Sequence, residues 1–322
     1  MQTARLLATV SRPEFLPANS ASLIIGVSWG ISLPVDLVWE LVVPLALVFA
    51  VITTVAAVAA QINTIADYEL DLKDSRKKEL VKAMSRLGRG KVKSVIAVEL
   101  LLSLAFIVML FLIQGKVALL LMWVAAVFLA YAYSAPPLRL KSRAWVAVIT
   151  LLVVLSVLPV SFVYHTFTSK LDPFFLIFLS GQALTVYGVI VPAEIRDYFR
   201  DKAMGVETMT VRLGLIKASL FSIMLLSVGG TLCGIGFVLK LVSGSYPILT
   251  IFLSVMAVAY FHVLRKYHRL YSLSKRYTTS QDQSSIAQNI ESLSAHNPKW
   301  IALITQTIVF MSLVLLVGRI LP

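Results

Sequence analysis

Nine of the sixteen acidic residues fall in two short stretches, 67–79 and 194–207. The first follows an apolar run as Asn63-Thr-Ile-Ala-Asp67-Tyr-Glu-Leu-Asp71. Asn63, Asp67 and Asp71 are spaced i, i+4, i+8, so a helix would carry one amide and two carboxylates on one face. The second stretch reads Glu194-Ile-Arg-Asp197-Tyr-Phe-Arg-Asp201, where Asp197 and Asp201 again share a face and Glu194 lies one turn earlier. Stacked carboxylates repel one another unless a cation neutralises them. Oxygen donors without His or Cys select a hard divalent ion, with Mg²⁺ the expected one. Mg²⁺ held by few carboxylates usually completes its shell with water and substrate phosphates. The expected chemistry is therefore a diphosphate held between two metal-bearing helix ends. The alternative is a pair of solvated helix ends marking a membrane boundary, and the repetition of the pattern argues against it.

A third segment supplies cations. Tyr133-Ser-Ala-Pro136-Pro137-Leu-Arg139-Leu-Lys141-Ser-Arg143 follows another apolar run. The Pro pair predicts a helix stop and an extended turn, which presents Arg139 and Lys141 for anion contact and leaves Arg143 as an anchor at the membrane surface. Tyr133, just inside the helix end, is a candidate aromatic stabiliser of a cation, and Tyr187 is a weaker one.

The elements that must position these residues are membrane helices. The chain has 322 residues, 58% hydrophobic and 14% charged, against about 45–50% and 25% for a soluble domain. Disorder, collagen and small disulfide scaffolds are excluded, and the lone Cys233 permits no internal disulfide. A spanning helix needs roughly 20 apolar residues. Runs of that kind predict nine spans, near 17–33, 39–66, 94–113, 117–134, 144–164, 173–195, 215–239, 246–264 and 300–319. No cleaved signal peptide is read at the start. With a cytoplasmic N-terminus, 25 of the 29 basic residues fall on the cytoplasmic side, all but Lys116, Lys170, Lys240 and Arg319. That orientation puts the C-terminus on the opposite side. The net charge of +13 is then mainly a topology signal, and no nucleic-acid partner is expected. Both acidic stretches precede R-L-G-x-x-K, at 86–91 and 212–217. This weak internal repeat predicts two related four-helix units. The Ser/Gln-rich segment 266–299 reads as a cytoplasmic connecting loop with one amphipathic helix.

Taken together, the residues resemble the UbiA superfamily of intramembrane prenyltransferases. The match rests on N-x-x-x-D-x-x-x-D at 63–71, YSAPPLRLK at 133–141 and DYFRDKAMGVETMTVRLG at 197–214. These motifs cover about 50 residues, and their order around nine spans extends the likeness to nearly the whole chain. The resemblance implies an all-α, polytopic fold. About nine transmembrane helices would ring a central cavity in one domain over 1–322, with cytoplasmic active-site loops at 67–93 and 196–217. It implies Mg²⁺-dependent transfer of an isoprenoid chain from a prenyl diphosphate to a hydrophobic or aromatic acceptor, with release of diphosphate. Asn63, Asp67 and Asp71 would bind one ion, and Asp197 and Asp201 a second. Lys141 and Arg139 would bind diphosphate, with Arg76, Lys77, Lys78 and Arg200 as further candidates. Asp67, Asp71, Asp197, Asp201 and Tyr133 would form the catalytic set. Asp71 and Glu194 are both open as general bases.

The sequence departs from the family pattern at Thr64, where Asp is common, at Lys82-Ala83 in place of Arg-Pro, and at Glu207, where a basic residue is common. These departures bear on the acceptor. The Asn-Thr start and the RKKELV stretch lean towards naphthoquinone-type acceptors and quinone biosynthesis, with a glycerol-phosphate lipid as the alternative. The rival from another class is a divalent-cation transporter. It would need acids distributed through the membrane depth, and here both clusters sit at one face.

Overall fold

In the computed structural model, residues 2–32 and 37–320 are described. They are all-helical, with no strand among them. The helices are α1 (Gln2–Ser11), α2 (Leu16–Gly30), α3 (Val43–Asp71), α4 (Lys78–Leu87), α5 (Arg89–Gln114), α6 (Val117–Ser134), α7 (Ala144–Leu152), α8 (Leu158–Phe167), α9 (Pro173–Ala203), α10 (Met209–Leu213), α11 (Leu215–Ser243), α12 (Leu253–Thr279), α13 (Gln283–Ser294) and α14 (Asn297–Ile320). Eight stretches among the described residues are long and apolar enough to cross a membrane, with α7 and α8 joined by a π-turn at Val153–Val157. The predicted span at 17–33 is the exception. Its helix, α2, has 15 residues, about 22 Å at 1.5 Å per residue, and residue 33 lies outside the described set. Even so, α2 packs inside the bundle against α8 and α14.

The molecule is apolar on its outer surface as well as in its core. Leu101, Leu112, Leu121 and Val258 are exposed where lipid would cover them. The core holds Trp29 stacked on Phe178 and Tyr164 stacked on Phe175. Helix α9 is the most enclosed span, with 61% of its apolar window buried against 17% for α5 and α6.

Two devices set the position of α9. Gly181 lies so close to α11 that a Cβ there would meet the Cys233 nitrogen at 2.6 Å and the Gly229 carbonyl at 2.7 Å. Small residues allow such close approach, which drives helix association in lipid. Pro192, inside α9, has no N–H for the carbonyl of Gly188. The Ser222 hydroxyl of α11 donates to that carbonyl at 2.8 Å, and the Asn297 amide donates to the carbonyl of Val189 at 2.9 Å. Neighbouring side chains thus satisfy the backbone where proline interrupts it.

Length then places the acidic stretches. The 29 residues of α3 extend about 44 Å, against a hydrocarbon core about 30 Å thick. The last nine or so residues, the Asn63–Asp71 face, overhang the apolar region. The 31 residues of α9 overhang similarly. The paired R-L-G segments adopt one backbone solution. Gly88 closes α4 with φ 77° and opens α5, and Gly214 closes α10 with φ 76° and opens α11. This left-handed region is costly for any residue with a Cβ.

The segment 266–299 differs from its reading as a connecting loop. Helix α12 runs unbroken to Thr279, and α13 follows after a short turn. Tyr267, Leu270 and Ser274 are buried along one face. An amphipathic face of this kind holds the last turns of α12, whose polar outer residues keep them from reading as part of the span.

Candidate active site

The regularly spaced acids of both stretches sit on helices, as their spacing requires. Asn63, Asp67 and Asp71 lie on the last turns of α3, and Glu194, Asp197 and Asp201 on the last turns of α9. Asp71 and Asp201 are buried, at 5% and 8% exposure.

The loop after α6 closes over the α3 face. Ala135 leaves the helix in extended backbone, Pro136–Pro137 is cis, and Arg139 turns at φ 37°. The loop sets Lys141 Nζ 2.9 Å from Asn63 Oδ1 and 2.5 Å from Asp67 Oδ2. Arg139 reaches Asp67 Oδ1 at 3.3 Å, and Ser134 donates to Asn63 Oδ1 at 2.9 Å. Burial is the largest influence on the Lys141 ammonium and lowers its pKa. Asp67 opposes that shift, while Arg139 and Lys77 add to it.

The turn between α3 and α4 links the two acidic faces. Asp74 caps it, accepting from the Arg76 backbone N–H at 3.0 Å. Arg76 then bridges Asp74 and Asp197, at 3.1 and 2.8 Å. From α9, Arg200 returns the link, meeting Asp74 at 2.5 Å, Asp201 at 3.0 Å and Asp197 at 3.5 Å. Arg196 meets Asp197 at 3.2 Å, and Lys77 meets Asp71 at 2.6 Å. Burial pushes the Asp74 carboxyl upward, but the Arg76 hydrogen bonds and the charges of Arg76 and Lys77 outweigh it. The net shift of Asp74 is downward. The Arg76 guanidinium is held above its ordinary range, with Asp197 and Asp74 outweighing its burial.

Of the six predicted anion contacts, Arg139, Lys141, Arg76, Lys77 and Arg200 converge on these carboxylates. Lys78 does not. It makes no ion pair with them among the described residues, yet it lines a groove of about 450 Å³ that Asp71 and Asp74 also line, with Tyr68, Lys73 and Lys82. Tyr133 is partly accessible and lies within electrostatic range of Asp67 and Glu194. Tyr187 is sealed at 1% exposure and donates to Glu194 Oε1 at 3.3 Å.

Three partners have no individual signal in the sequence. Ser134 stands inside the YSAPP motif without marking itself as a ligand. Asp74 belongs to the first acidic stretch but falls outside the four-residue period of Asn63, Asp67 and Asp71. Thr210 belongs to the GVETMTVRLG tail, which folds back as α10 so that its hydroxyl donates to Glu194 Oε2 at 2.8 Å.

No three of the described Asp, Glu, His or Cys side chains converge as a ligand group. Each aspartate instead holds a Lys or Arg nitrogen. The residues nonetheless fit a hard cation. All the donors are oxygens, two carboxylates are buried, and the Lys141 ammonium lies between Asn63 and Asp67. Six cations stand against five aspartates (67, 71, 74, 197 and 201). This nearly charge-balanced set could exchange partners, with the aspartates turning to metal and the bases to an anion.

Known folds resemble this one over nearly its full length. A digeranylgeranylglyceryl phosphate synthase aligns with TM-score 0.65 at 15% identity, over 97% of this chain and 99% of that one. A UbiA homolog from Archaeoglobus fulgidus bound to GPP and Mg²⁺ aligns with TM-score 0.62 at 17% identity, over 93% and 99%. The same homolog bound to DMAPP and Mg²⁺ aligns with TM-score 0.56 at 18% identity, over 92% and 98%. No curated protein sequence matches significantly. At these identities the structures establish the fold. A family model establishes more, since it covers residues 23–281, and on that match the chain belongs to the UbiA prenyltransferase family.

Proposed function

We propose that this protein is an integral membrane transferase that moves an isoprenoid chain from a prenyl diphosphate to a hydrophobic acceptor, with Mg²⁺ as cofactor. The observation that carries this reading is the convergence of two acid-bearing helix ends with five bases, bridged by Arg76 and Arg200. The A. fulgidus homolog's complexes with GPP or DMAPP and Mg²⁺ support it. Asn63, Asp67 and Asp71 would hold one ion, and Asp197 and Asp201 a second. When bound, the metal supplies charge stabilisation for a leaving diphosphate.

The protein's own groups do the rest. Lys141, Arg139, Arg76, Lys77 and Arg200 exchange their carboxylate partners for diphosphate oxygens and stabilise the charge that builds on them. Asp74 orients Arg76 and Arg200 through its hydrogen bonds to both. The apolar interior takes the isoprenoid tail and keeps water from the allylic cation, and the face of Tyr133 stabilises that cation. We place the N-terminus and the site on the cytoplasmic side, from the distribution of basic residues.

Two acceptor classes fit. An aromatic acceptor of the quinone-precursor type follows from the sequence motifs. The likeness to a digeranylgeranylglyceryl phosphate synthase supports a glycerol-phosphate lipid equally. A product screen by mass spectrometry decides between them. Purified protein would be offered prenyl diphosphates of several lengths against each acceptor class. Prenylated product and diphosphate are expected only with Mg²⁺. Mg²⁺ flux in liposomes with no diphosphate release would overturn the reading in favour of a transporter.

A further inference from the structure

Glu194 stands apart from the aspartates at this end of the molecule. Asp67, Asp71, Asp74, Asp197 and Asp201 each lie within 4 Å of a Lys or Arg nitrogen. Among the described residues Glu194 has no such partner. Its oxygens are held by two neutral hydroxyls, Thr210 Oγ1 at 2.8 Å from Oε2 and Tyr187 Oη at 3.3 Å from Oε1.

Its depth differs as well. Glu194 lies three residues before Asp197, which places it about 4.5 Å further into the bundle. It closely follows the Pro192 break, where the carbonyls of Gly188 and Val189 are tied to α11 and α14. Tyr187 and Thr210 are sealed, each at 1% exposure, whereas Glu194 keeps accessible surface. The carboxylate is therefore fixed by two sealed hydroxyls, on a residue that keeps some accessible surface and lies within electrostatic range of partly accessible Tyr133. Holding an acid below the aqueous end with only neutral donors is unfavourable. A ligand that donates a hydrogen bond or a proton relieves that cost.

On the prenyl-transfer reading above, we infer that Glu194 is the acceptor-side residue. It accepts a hydrogen bond from the hydroxyl of a hydroxyl-bearing acceptor and takes its proton in the transfer. The allylic C–O bond breaks, and its electron pair leaves with the diphosphate. With an alcohol acceptor, the oxygen bonds to the isoprenoid C1 as the O–H proton passes to Glu194. With a phenol, a ring carbon forms the new bond, the O–H proton passes to Glu194, and the dienone tautomerises back to the phenol. Either way one proton leaves the acceptor and the carboxylate receives it. The Thr210 and Tyr187 hydroxyls are positioning groups that fix the carboxylate's orientation. This gives the threonine of the TMTVRLG tail a task that its sequence alone does not suggest.

The experiment separates donor chemistry from acceptor chemistry in Glu194→Gln, Glu194→Asp and Thr210→Val. Donor function is read as Mg²⁺-dependent binding of an unreactive prenyl thiolodiphosphate and as diphosphate release without acceptor. Transfer is read as prenylated product, with phenols of graded acidity in one arm and a glycerol-phosphate lipid in the other. In Glu194→Gln, transfer is expected to fall about 10²–10⁴-fold, the usual contribution of a positioned acid–base group. Donor binding and acceptor-free release should stay at the wild-type level. Glu194→Asp should recover part of the loss, and Thr210→Val should lower transfer alone. The defect should shrink for the more acidic phenols, which need less help in losing a proton, a trend that a purely structural role would not produce. Productive turnover in one arm identifies the acceptor class. Parallel loss of donor binding in Glu194→Gln would place the residue in the metal site and overturn the inference, as would wild-type transfer. If Glu194→Gln does not fold, wild-type transfer in Thr210→Val overturns it. No diphosphate release by the wild-type protein would overturn the prenyl-transfer reading itself, and this inference with it.

Discussion

Lys141→Met removes one ammonium and keeps a side chain of similar length, so it tests whether this cation and a metal compete for the same oxygens. Lys141 Nζ is 2.9 Å from Asn63 Oδ1 and 2.5 Å from Asp67 Oδ2, and both side chains of the ion pair are largely buried. Without metal, the variant leaves Asp67 with Arg139 alone at 3.3 Å. An under-satisfied buried carboxylate of this kind should cost about 1–3 kcal/mol of stability. Mg²⁺ should restore the variant more than it stabilises the wild type, because no ammonium opposes its entry. The donor diphosphate loses a charged hydrogen-bond partner worth about 1.5–3 kcal/mol, roughly 10–150-fold in affinity at 1.4 kcal/mol per tenfold. Thermal unfolding of the detergent-solubilised protein with and without Mg²⁺ reads the first effect, and the KM for a prenyl diphosphate reads the second. Equal Mg²⁺ stabilisation of both proteins, or an unchanged donor KM, would refute the partner-exchange reasoning.

Other perturbations reach different parts of the account. Asp67→Ala and Asp197→Ala should each abolish prenyl transfer while circular dichroism shows an intact bundle; near-wild-type turnover at saturating Mg²⁺ in either would sink the two-ion reading. Gly181→Leu should destabilise the α9–α11 contact, since its first side-chain atom alone would lie 2.6 Å from the Cys233 nitrogen; an unchanged melting temperature would contradict the packing. Ser222→Ala should cost about 1–3 kcal/mol by orphaning the Gly188 carbonyl freed at Pro192, read by denaturant unfolding.

Much of this arrangement is legible in residue spacing. Asn63, Asp67 and Asp71 recur every four residues, and that period alone puts them on one helix face. The Pro136-Pro137 pair ends α6 where a proline stop should. Long apolar runs locate most of the bundle. Spacing does not tell which cation meets which acid. Arg76 and Asp197 are 121 residues apart, and Lys141 and Asn63 are 78 apart. Those pairings follow from how α3, α6 and α9 pack, which local pattern does not encode. Thr210 is equally hidden, because its role depends on α10 folding back against α9. The length of α12 escapes hydropathy for another reason. Its last turns bury Tyr267, Leu270 and Ser274 beneath a polar outer face, so hydropathy falls while helical periodicity persists.

The central claim is that the ends of α3 and α9 together hold a metal-bound prenyl diphosphate. Mn²⁺ substitutes for Mg²⁺ as a hard, oxygen-preferring ion and can be counted by electron paramagnetic resonance. Titrating Mn²⁺ into the protein with an unreactive prenyl thiolodiphosphate should give two spin-coupled ions in the wild type. Asp67→Ala and Asp197→Ala should each lose the coupled signal. Binding that is independent of the diphosphate, or a coupled signal that survives both substitutions, would contradict the account.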